Sequence, residues 1–406
     1  MAQIRPFRGV RARTELAQQV IAPPYDVLNE EEARDIVARN PQSFLKVTRP
    51  EVNFPRGVDG HAPEVYAEAR RQLEAFMAKG VLVQDARPSF YIYSQKMGDH
   101  LQHALMAVCS VEEYDRNEIR KHEFTRPDKE QDRVDHVSAT DAQTGLVFLT
   151  YRQNDVVEPL MAQARQAPAL WTATTDDEVT HTLRLVDDPA LVDALQAAFA
   201  QVPNLYIADG HHRSAAASRV NAARRGAGSS GWFLAGLFPH TELQVLSYNR
   251  VVADLNGHSP EALLAAIGER FFITPAPSPA PTRSGQVTMY LGGQWRLLTP
   301  KPGVVNEADP VARLDVSILQ DLVLRPLLGV EDPRRDTRIQ FVGGIRGHQA
   351  LSSAVDSGKA AVAFHLYPTG LEQLFAVADA GEVMPPKSTW FEPKLRGGVL
   401  VHLIAQ

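Results

Sequence analysis

The chain has 406 residues, with 42 Lys and Arg against 48 Asp and Glu, which gives a formal net charge of −6. This balance argues against nucleic acid as the main partner, because duplex binding requires a concentration of basic residues. The hydrophobic content of 44% and the charged content of 22% are typical of a globular protein, and they exclude a disordered chain or a fibre.

The elements that the hydrophobic pattern predicts alternate between helix and strand along the whole chain. In chain order, they are helices at 29–39 and 63–79, strands at 90–94, 104–111, 146–151 and 183–186, a helix at 189–200, a strand at 204–208, a helix at 213–225, strands at 232–238 and 243–252, a helix at 259–271, a hairpin at 287–298, a helix at 316–328, a strand at 339–342, a helix at 349–357, a strand at 360–366 and a helix at 371–380. This order predicts a fold between α/β and α+β, with mixed sheets and flanking helices.

Three lobes are predicted: an N-terminal α/β lobe at 1–112, a central core at 113–273 and a C-terminal α/β lobe at 284–406. The proline-rich run at 275–281 precedes the last lobe and is stiff and exposed. Because a hairpin follows it, we favour a loop within one sheet over a true linker. A single compact body for the whole chain is the alternative.

The cysteine content and the first residues restrict the compartment. A single cysteine, Cys109, excludes a disulfide framework within the chain, a cysteine-rich zinc site and a Cys-x-x-Cys redox pair. The first residues contain Arg and Pro where a secretory signal has an apolar segment, and no stretch reaches the length of a membrane-spanning helix. We therefore expect a cytoplasmic protein with no membrane partner, and a homo-oligomer is compatible with the sequence.

The most informative motif is the run Asp209-Gly210-His211-His212-Arg213-Ser214, which stands where a predicted strand gives way to a helix. Glycine lets the backbone approach a ligand, and the free N–H groups at the start of a helix are donors for an anion. The imidazole and guanidinium groups add further donors. The alternatives are a capped helix with structural histidines, or a zinc site, which we disfavour because adjacent histidines point apart. The run predicts a phosphate-binding turn.

A second candidate lies in the charged stretch 120–126, which contains Lys121, His122 and Glu123. A carboxylate flanked by cations stays ionised and can accept the proton of a substrate hydroxyl, while the cations contact a phosphoryl group. The alternative is ordinary ion pairing at the surface.

A third candidate is the segment 385–396, with Lys387 and Ser388 in the first loop and Lys394 after it. The segment lacks the glycine-rich start of a P-loop, and its prolines prevent a continuous series of N–H donors. It could close over a phosphorylated ligand or serve as a structural turn. Weaker candidates, which we expect to belong to the scaffold, are Asn249, Arg250, Tyr25 and Asp26.

Two resemblances rest on these motifs. The run 209–213 resembles the Asp-Gly-His-His-Arg box of the ParB/sulfiredoxin-like superfamily, and in particular of its free-serine kinases. The whole chain resembles a widespread prokaryotic family, domain-of-unknown-function family 1015, through residues 22–27, 121–123, 209–213 and 384–395. The superfamily resemblance is confined to residues 115–225 and implies a ParB/sulfiredoxin-like core around the turn. His211 stands where sulfiredoxins have their catalytic cysteine, which excludes their thiol chemistry, and the DNA-binding helix-turn-helix module of ParB is not found.

The resemblance implies a nucleotide-dependent phosphotransferase acting on a small hydroxy-amino acid, serine or phosphoserine, in either direction. It implies catalytic roles for Glu123, Asp209 and His211, with ATP or ADP as the nucleotide and with either Mg²⁺ or the substrate hydroxyl held by Asp209. The expected phosphate-binding residues are Lys121, His122, Gly210, His212, Arg213 and Ser214, and we expect the loop with Lys387, Ser388 and Lys394 to close over the substrate. The alternatives are a phosphoserine phosphatase, which depends on how far water is excluded, and a non-catalytic nucleotide-binding regulatory protein.

Overall fold

The computed structural model describes residues 2–405. The chain divides into two compact units, Met1–Leu243 with Pro393–Gln406, and Gln244–Glu392. We call them the first unit and the second unit. This division into two units does not test the limits of the three predicted lobes, which stay a prediction. None of the helices within residues 2–405 is both long enough and apolar enough to span a membrane.

The first unit consists of a large sheet, several short strands and helices. Its strands before the second unit are β1 (Ile4–Arg5), β2 (Val10–Ala12), β3 (Leu82–Gln84), β4 (Phe90–Met97), β5 (His100–Ser110), β6 (Ile119–Arg120), β7 (Ala142–Gln143), β8 (Val147–Tyr151), β9 (Ala169–Thr174), β10 (Thr180–Val186), β11 (Leu205–Asp209) and β12 (Trp232–Pro239). Its helices are α1 (Ala17–Val20), α2 (Glu30–Arg39), α3 (Leu45–Thr48), α4 (Pro63–Ala78), α5 (Val111–Asp115), α6 (Pro127–Thr140), α7 (Val157–Ala164), α8 (Pro189–Phe199) and α9 (His211–Arg224).

Nine strands of the described chain form the main sheet, in the order β6-β11-β8-β12-β5-β4-β10-β9, with β1 beside β5. The β6–β11 and β8–β12 pairs are parallel and the other pairs are antiparallel. This arrangement confirms the predicted mixed α/β class. Strand β5 is a nearly continuous apolar run because it is covered on both faces. It includes Cys109, whose burial raises the pKa of the thiol, so this cysteine is part of the core.

The second unit is a six-stranded antiparallel sheet with helices against it. Its strands are β13 (Gln244–Leu246), β14 (Tyr248–Val252), β15 (Phe271–Pro275), β16 (Val287–Leu291), β17 (Gln294–Pro300), β18 (Ile339–Gly343), β19 (Val362–Leu366) and β20 (Trp390–Glu392), and its helices are α10 (Pro260–Gly268), α11 (Asp315–Leu319), α12 (Gly347–Asp356) and α13 (Leu371–Asp379). The sheet order is β15-β17-β16-β19-β14-β18, and β13 pairs separately with β20. The proline-rich run 275–281 connects β15 to β16 of this one sheet, which confirms a loop.

The last residues of the chain belong to the first unit. Strand β21 (His402–Leu403) pairs with β7, and two isolated bridges join Gly397 to Ala22 and Val401 to Val10. The segment that follows Glu392 is therefore fixed along the first unit by backbone hydrogen bonds, and this fixes the position of Lys394.

Two predicted elements of the second unit need correction. The predicted strand 243–252 is two strands, because the chain changes partners at Ser247, whose carbonyl accepts the Gly344 N–H. The predicted helix 316–328 is α-helical only to Leu319 and continues as a π-helical turn over Gln320–Leu324. Pro326, which has no N–H, cannot continue the α-helical bonding pattern.

Burial of histidine makes the stability of the first unit depend on pH. His402 is buried between Gln143 and Ser229, and burial lowers its pKa to about 4. Between pH 6.5 and pH 4, His402 binds a proton in the unfolded chain but stays neutral in the folded chain. The free energy of unfolding therefore falls as the pH falls through this range. We expect this residue to contribute up to about 3 kcal/mol of that loss. Chemical denaturation of the His402→Gln protein should show a shallower pH dependence; equal slopes would contradict the assignment.

Candidate functional site

The Asp209–Arg213 turn joins the end of β11 to the start of α9. Gly210 has φ of 100° and ψ of 27°, a left-handed conformation that favours glycine. A Cβ atom at this position would lie 3.3 Å from the Cα of Val147, so close packing also favours a residue without a side chain. The helix begins at His211, two residues earlier than predicted, and its first N–H groups therefore belong to the motif itself.

Asp209 forms an ion pair with Lys394, whose Nζ lies 3.1 Å from Oδ2 of the carboxylate. Burial opposes ionisation of Asp209, but the charges of Lys394 and Arg213 outweigh burial and hold the pKa of the carboxyl below its usual range. The lysine is held in place through its own backbone, because its carbonyl accepts a hydrogen bond from Gln95 Nε2. The structure thus brings together a carboxylate and a cation that are 185 residues apart.

His122 and His211 form a buried pair in which the rings pack edge to face, with centroids 4.6 Å apart. Burial lowers the pKa of His122 to about 4, and burial together with the neighbouring His122 lowers the pKa of His211 well below its ordinary value. Both rings are therefore neutral near pH 7. Within residues 2–405, His122 Nδ1 and His211 Nε2 are buried and have no hydrogen-bond partner. Buried polar atoms without a partner are candidate contacts for a ligand.

The loop between β6 and α6 contacts both histidines of the turn. Glu123 Oε2 lies 3.7 Å from His211 Nδ1, and the side chain of Glu123 is about half exposed. Farther along the loop, the Arg126 N–H donates to His212 Nε2 at 3.0 Å. Burial, followed by the charge of Arg213, lowers the pKa of His212. The predicted proximity of Glu123 to the turn is thus observed in the structure.

Arg213 is buried to all but 11% of its side chain and points away from solvent. Nη1 donates to the Leu146 carbonyl at 2.8 Å, and Nη2 pairs with Asp26 Oδ2 at 3.1 Å. Burial alone would lower the pKa of Arg213, but Asp26, Tyr25 and Asp209 together outweigh burial and raise the pKa. Its Nε is buried without a partner among the described residues. Much of the donor capacity of this guanidinium therefore serves the scaffold.

Two residues that we expected to belong to the scaffold contact the site. Besides Asp26, the neighbouring Tyr25 presents its ring to two guanidinium groups, with the Cζ atoms of Arg133 at 3.9 Å and Arg213 at 5.3 Å from the centroid. Burial raises the pKa of Tyr25. The prolines at 23–24 prevent a helix here, but nothing in the local pattern indicates the partner of Asp26, which lies on α9.

Other predicted residues are placed less directly. The Ser214 hydroxyl is buried and bonds to the carbonyls of Gly210 and His211, so it is engaged inside the helix. The Lys121 ammonium lies 3.8 Å from the centroid of the Tyr114 ring, and burial lowers its pKa. Lys387 and Ser388 belong to the second unit, whereas Lys394 belongs to the first. Their roles as phosphate and substrate ligands stay predictions.

The turn offers limited protein ligands to a metal ion. Within residues 2–405 no three His, Cys, Asp or Glu side chains are grouped as a metal site. The Asp209 carboxylate accepts a hydrogen bond from Lys394 on Oδ2. A single carboxylate is compatible with Mg²⁺, which in nucleotide enzymes takes one or two protein carboxylates and completes its shell with phosphate and water.

Comparison with known families identifies the chain. Residues 4–317 match the family described as "Protein of unknown function (DUF1015)". The chain belongs to this family. No curated protein matches the DUF1015 protein.

Three solved structures resemble the chain at low identity and low TM-score. C-terminally truncated SbnI from Staphylococcus aureus is 13% identical with a TM-score of 0.41, and the match covers 73% of the DUF1015 protein and 87% of that chain. Free serine kinase in complex with AMP is 12% identical with a TM-score of 0.35, covering 71% and 86%. A conserved hypothetical protein from Pyrococcus furiosus is 10% identical with a TM-score of 0.33, covering 71% and 90%. At these values the likenesses support no conclusion about function.

Proposed function

We propose that the DUF1015 protein transfers a phosphoryl group between a nucleotide and a small hydroxy-amino acid, serine or phosphoserine, at the 209–213 turn. The observation that carries the proposal is the ion pair of Asp209 and Lys394 at the start of α9, beside a neutral histidine pair with unpartnered nitrogens. The transfer of an anionic group requires positive charge and hydrogen-bond donors to stabilise the phosphate, and a carboxylate can hold a metal ion. The resemblance of the turn to the box of free-serine kinases supports the choice of substrate.

In the forward direction, the substrate hydroxyl oxygen attacks the terminal phosphorus of ATP. The bond from that phosphorus to the bridging oxygen breaks, and its electron pair leaves with ADP. The hydroxyl proton passes to the Glu123 carboxylate, which is half exposed and lies beside His211. Phosphoryl transfer needs mainly positioning and charge neutralisation, so the turn does not need a covalent nucleophile.

Lys394 neutralises charge on the phosphate, and the histidines orient it. His122 and His211 are neutral near pH 7, so each offers one N–H donor rather than a charge. Lys394 supplies the positive charge. The N–H groups of the first turn of α9 add donors at the end of the helix that adjoins Asp209. Because burial keeps the imidazoles neutral, their donor role persists through the physiological pH range.

The proposal includes Mg²⁺ as the partner of the nucleotide. The Asp209 carboxylate, which also pairs with Lys394, is the group of the turn that would hold it. When bound, the ion neutralises charge on the phosphate groups.

The decisive experiment is a phosphotransfer assay with ATP, Mg²⁺ and serine, and its reverse with ADP and phosphoserine, followed by ³¹P NMR. We expect transfer in at least one direction, and in the Glu123→Gln protein a kcat about 10²- to 10⁴-fold lower with a similar KM. Glu112→Gln is the matched control, because Glu112 is also an acidic residue of the first unit but is 76% exposed and paired with Arg116.

Each alternative has its own result in this assay. Release of inorganic phosphate from phosphoserine without ADP would identify a phosphatase. Saturable nucleotide binding with no turnover of any substrate would identify a regulatory nucleotide-binding protein. Either result, or full activity in the Glu123→Gln protein, would overturn the assignment.

A further inference from the structure

The loop at 385–389 in the second unit has its carbonyl groups held by the scaffold. The Pro386 and Lys387 carbonyls accept from Arg250 Nη2 at 3.4 and 3.0 Å. The Ser388 carbonyl accepts from Thr369 Oγ1 at 2.8 Å, and the Pro385 carbonyl accepts from the Ser388 hydroxyl at 2.6 Å. The predicted ligand Ser388 therefore stabilises the loop through its hydroxyl. In the part of the chain that the structure describes, the N–H groups of Lys387 and Thr389 form no hydrogen bond, whereas Ser388 closes the turn over residues 386–387.

Arg250 brings an uncompensated positive charge to this loop. Its side chain is buried, and its acceptors are backbone carbonyls, those of Tyr248, Pro386 and Lys387. Across residues 2–405 no carboxylate forms an ion pair with it. Burial lowers the pKa of Arg250 to about 10, which leaves it charged at neutral pH. A buried charge without a counter-ion is costly, and an anion bound nearby would offset that cost.

Lys387 adds a second cation in a conformation that only a constrained backbone maintains. Its φ is 60°, in the left-handed region that non-glycine residues rarely adopt, and such residues are enriched at ligand sites. The side chain is exposed, and Nζ lies 5.6 Å from the centroid of the Tyr248 ring. That ring packs edge to face against Trp390, with centroids 5.0 Å apart. The ammonium is thus presented to solvent over an aromatic support.

We propose that the 385–389 loop is an oxyanion-binding site that takes the phosphate group of a small ester or of a nucleotide. Lys387 supplies the charge, the N–H groups of Lys387 and Thr389 supply donors, and Arg250 fixes the loop and adds its positive potential. The site is made of second-unit residues alone and does not depend on the proposed phosphotransferase.

The test is a titration of the full chain with inorganic pyrophosphate, followed by calorimetry and by tryptophan fluorescence. We expect the Lys387→Ala protein to bind pyrophosphate at this site about tenfold more weakly, since a charge-assisted contact is lost. The fluorescence should change on binding because Trp390 packs on the ring beneath Lys387. The change should be absent in the Trp390→Phe protein, which should still bind.

A matched control is available in the same unit. Lys359 is also an exposed lysine, and it lies between α12 and β19, so Lys359→Ala removes the same charge elsewhere. Because Lys387 is exposed, its replacement should not unfold the protein. Equal pyrophosphate affinity in the Lys387→Ala and Lys359→Ala proteins would overturn the proposal, as would an unchanged fluorescence response in Trp390→Phe. Replacing pyrophosphate by glycerol phosphate and by ATP then distinguishes the two sources of the phosphate group.

Discussion

Replacing Asp209 by asparagine is expected to lower kcat/KM for phosphate transfer about 10²- to 10³-fold while leaving the fold intact. Asparagine has nearly the same shape and can still accept a hydrogen bond from Lys394 through its amide oxygen. It removes the negative charge that pairs with the ammonium and that would hold Mg²⁺. Steady-state kinetics in the direction that the wild-type protein catalyses gives the measurement, and circular dichroism verifies the fold.

A control lies on the same segment of chain. Arg396, two residues after Lys394, pairs with Asp177, so this second pair also joins the C-terminal segment to the first unit. The Asp177→Asn protein loses the same kind of interaction away from the 209–213 turn, and we expect its kcat/KM to stay within about twofold of wild type. Similar losses in both variants would mean that the ion pairs only secure the segment, and the role of Asp209 would be refuted.

A double-mutant cycle with Lys394→Met sharpens this prediction. If Asp209 and Lys394 act as one unit, the second replacement adds little to the effect of the first. Independent roles would instead make the losses multiply. Because Lys394 helps to hold the pKa of Asp209 low, its removal should also raise that pKa, which carboxyl ¹³C NMR can follow.

The second large effect concerns stability. Arg213→Met is expected to lower the free energy of unfolding of the first unit by about 2–3 kcal/mol and to abolish nucleotide binding. The change leaves the buried Leu146 carbonyl without its donor and removes the partner of Asp26. It also removes one of the two guanidinium groups that contact the Tyr25 ring. Urea denaturation measures the first effect, and calorimetry with ATP under native conditions measures the second.

Arg219→Met is the matched control for this variant. Arg219 lies on the same helix and also pairs with a carboxylate, that of Glu130, but its side chain is 44% exposed. An exposed pair contributes little, so we expect a loss below about 1 kcal/mol and unchanged nucleotide binding. Equal destabilisation by the two replacements would contradict the view that burial makes Arg213 a structural as well as a binding residue.

Features determined by neighbouring residues were predicted well. The predicted helix at 29–39 is confirmed, and the structure shows a full capping box between Asn29 and Glu32. The predicted strands at 90–94 and 104–111 are confirmed as parts of β4 and β5, which pair as a hairpin around Gly98 and Asp99. The strand before Asp209 and the helix after it were predicted in the same way. In each case the signal is a periodicity or a turn residue, which acts over a few positions.

Features that depend on distant pairing were not predicted. The sequence placed Lys387, Ser388 and Lys394 in one loop, but they belong to two units, because Pro393–Gln406 pairs with the first unit. Tyr25 and Asp26 were assigned to the scaffold, since an exposed turn carries no sign of its partner. The prediction of a single strand at 243–252 was also wrong, because its two parts pair with different strands.

The sequence by itself determined the turn at 209–213, because a left-handed glycine between a strand and a helix start is a local property of residues 205–214. It also determined the mixed α/β class, and its single cysteine excludes a disulfide within the chain. Only the tertiary structure decided which charges complete the turn. Lys394 meets Asp209 and Asp26 meets Arg213 across 185 and 187 residues. Such contacts depend on which strands pair and which surfaces are buried. A local pattern of residues indicates neither the pairing nor the buried surface.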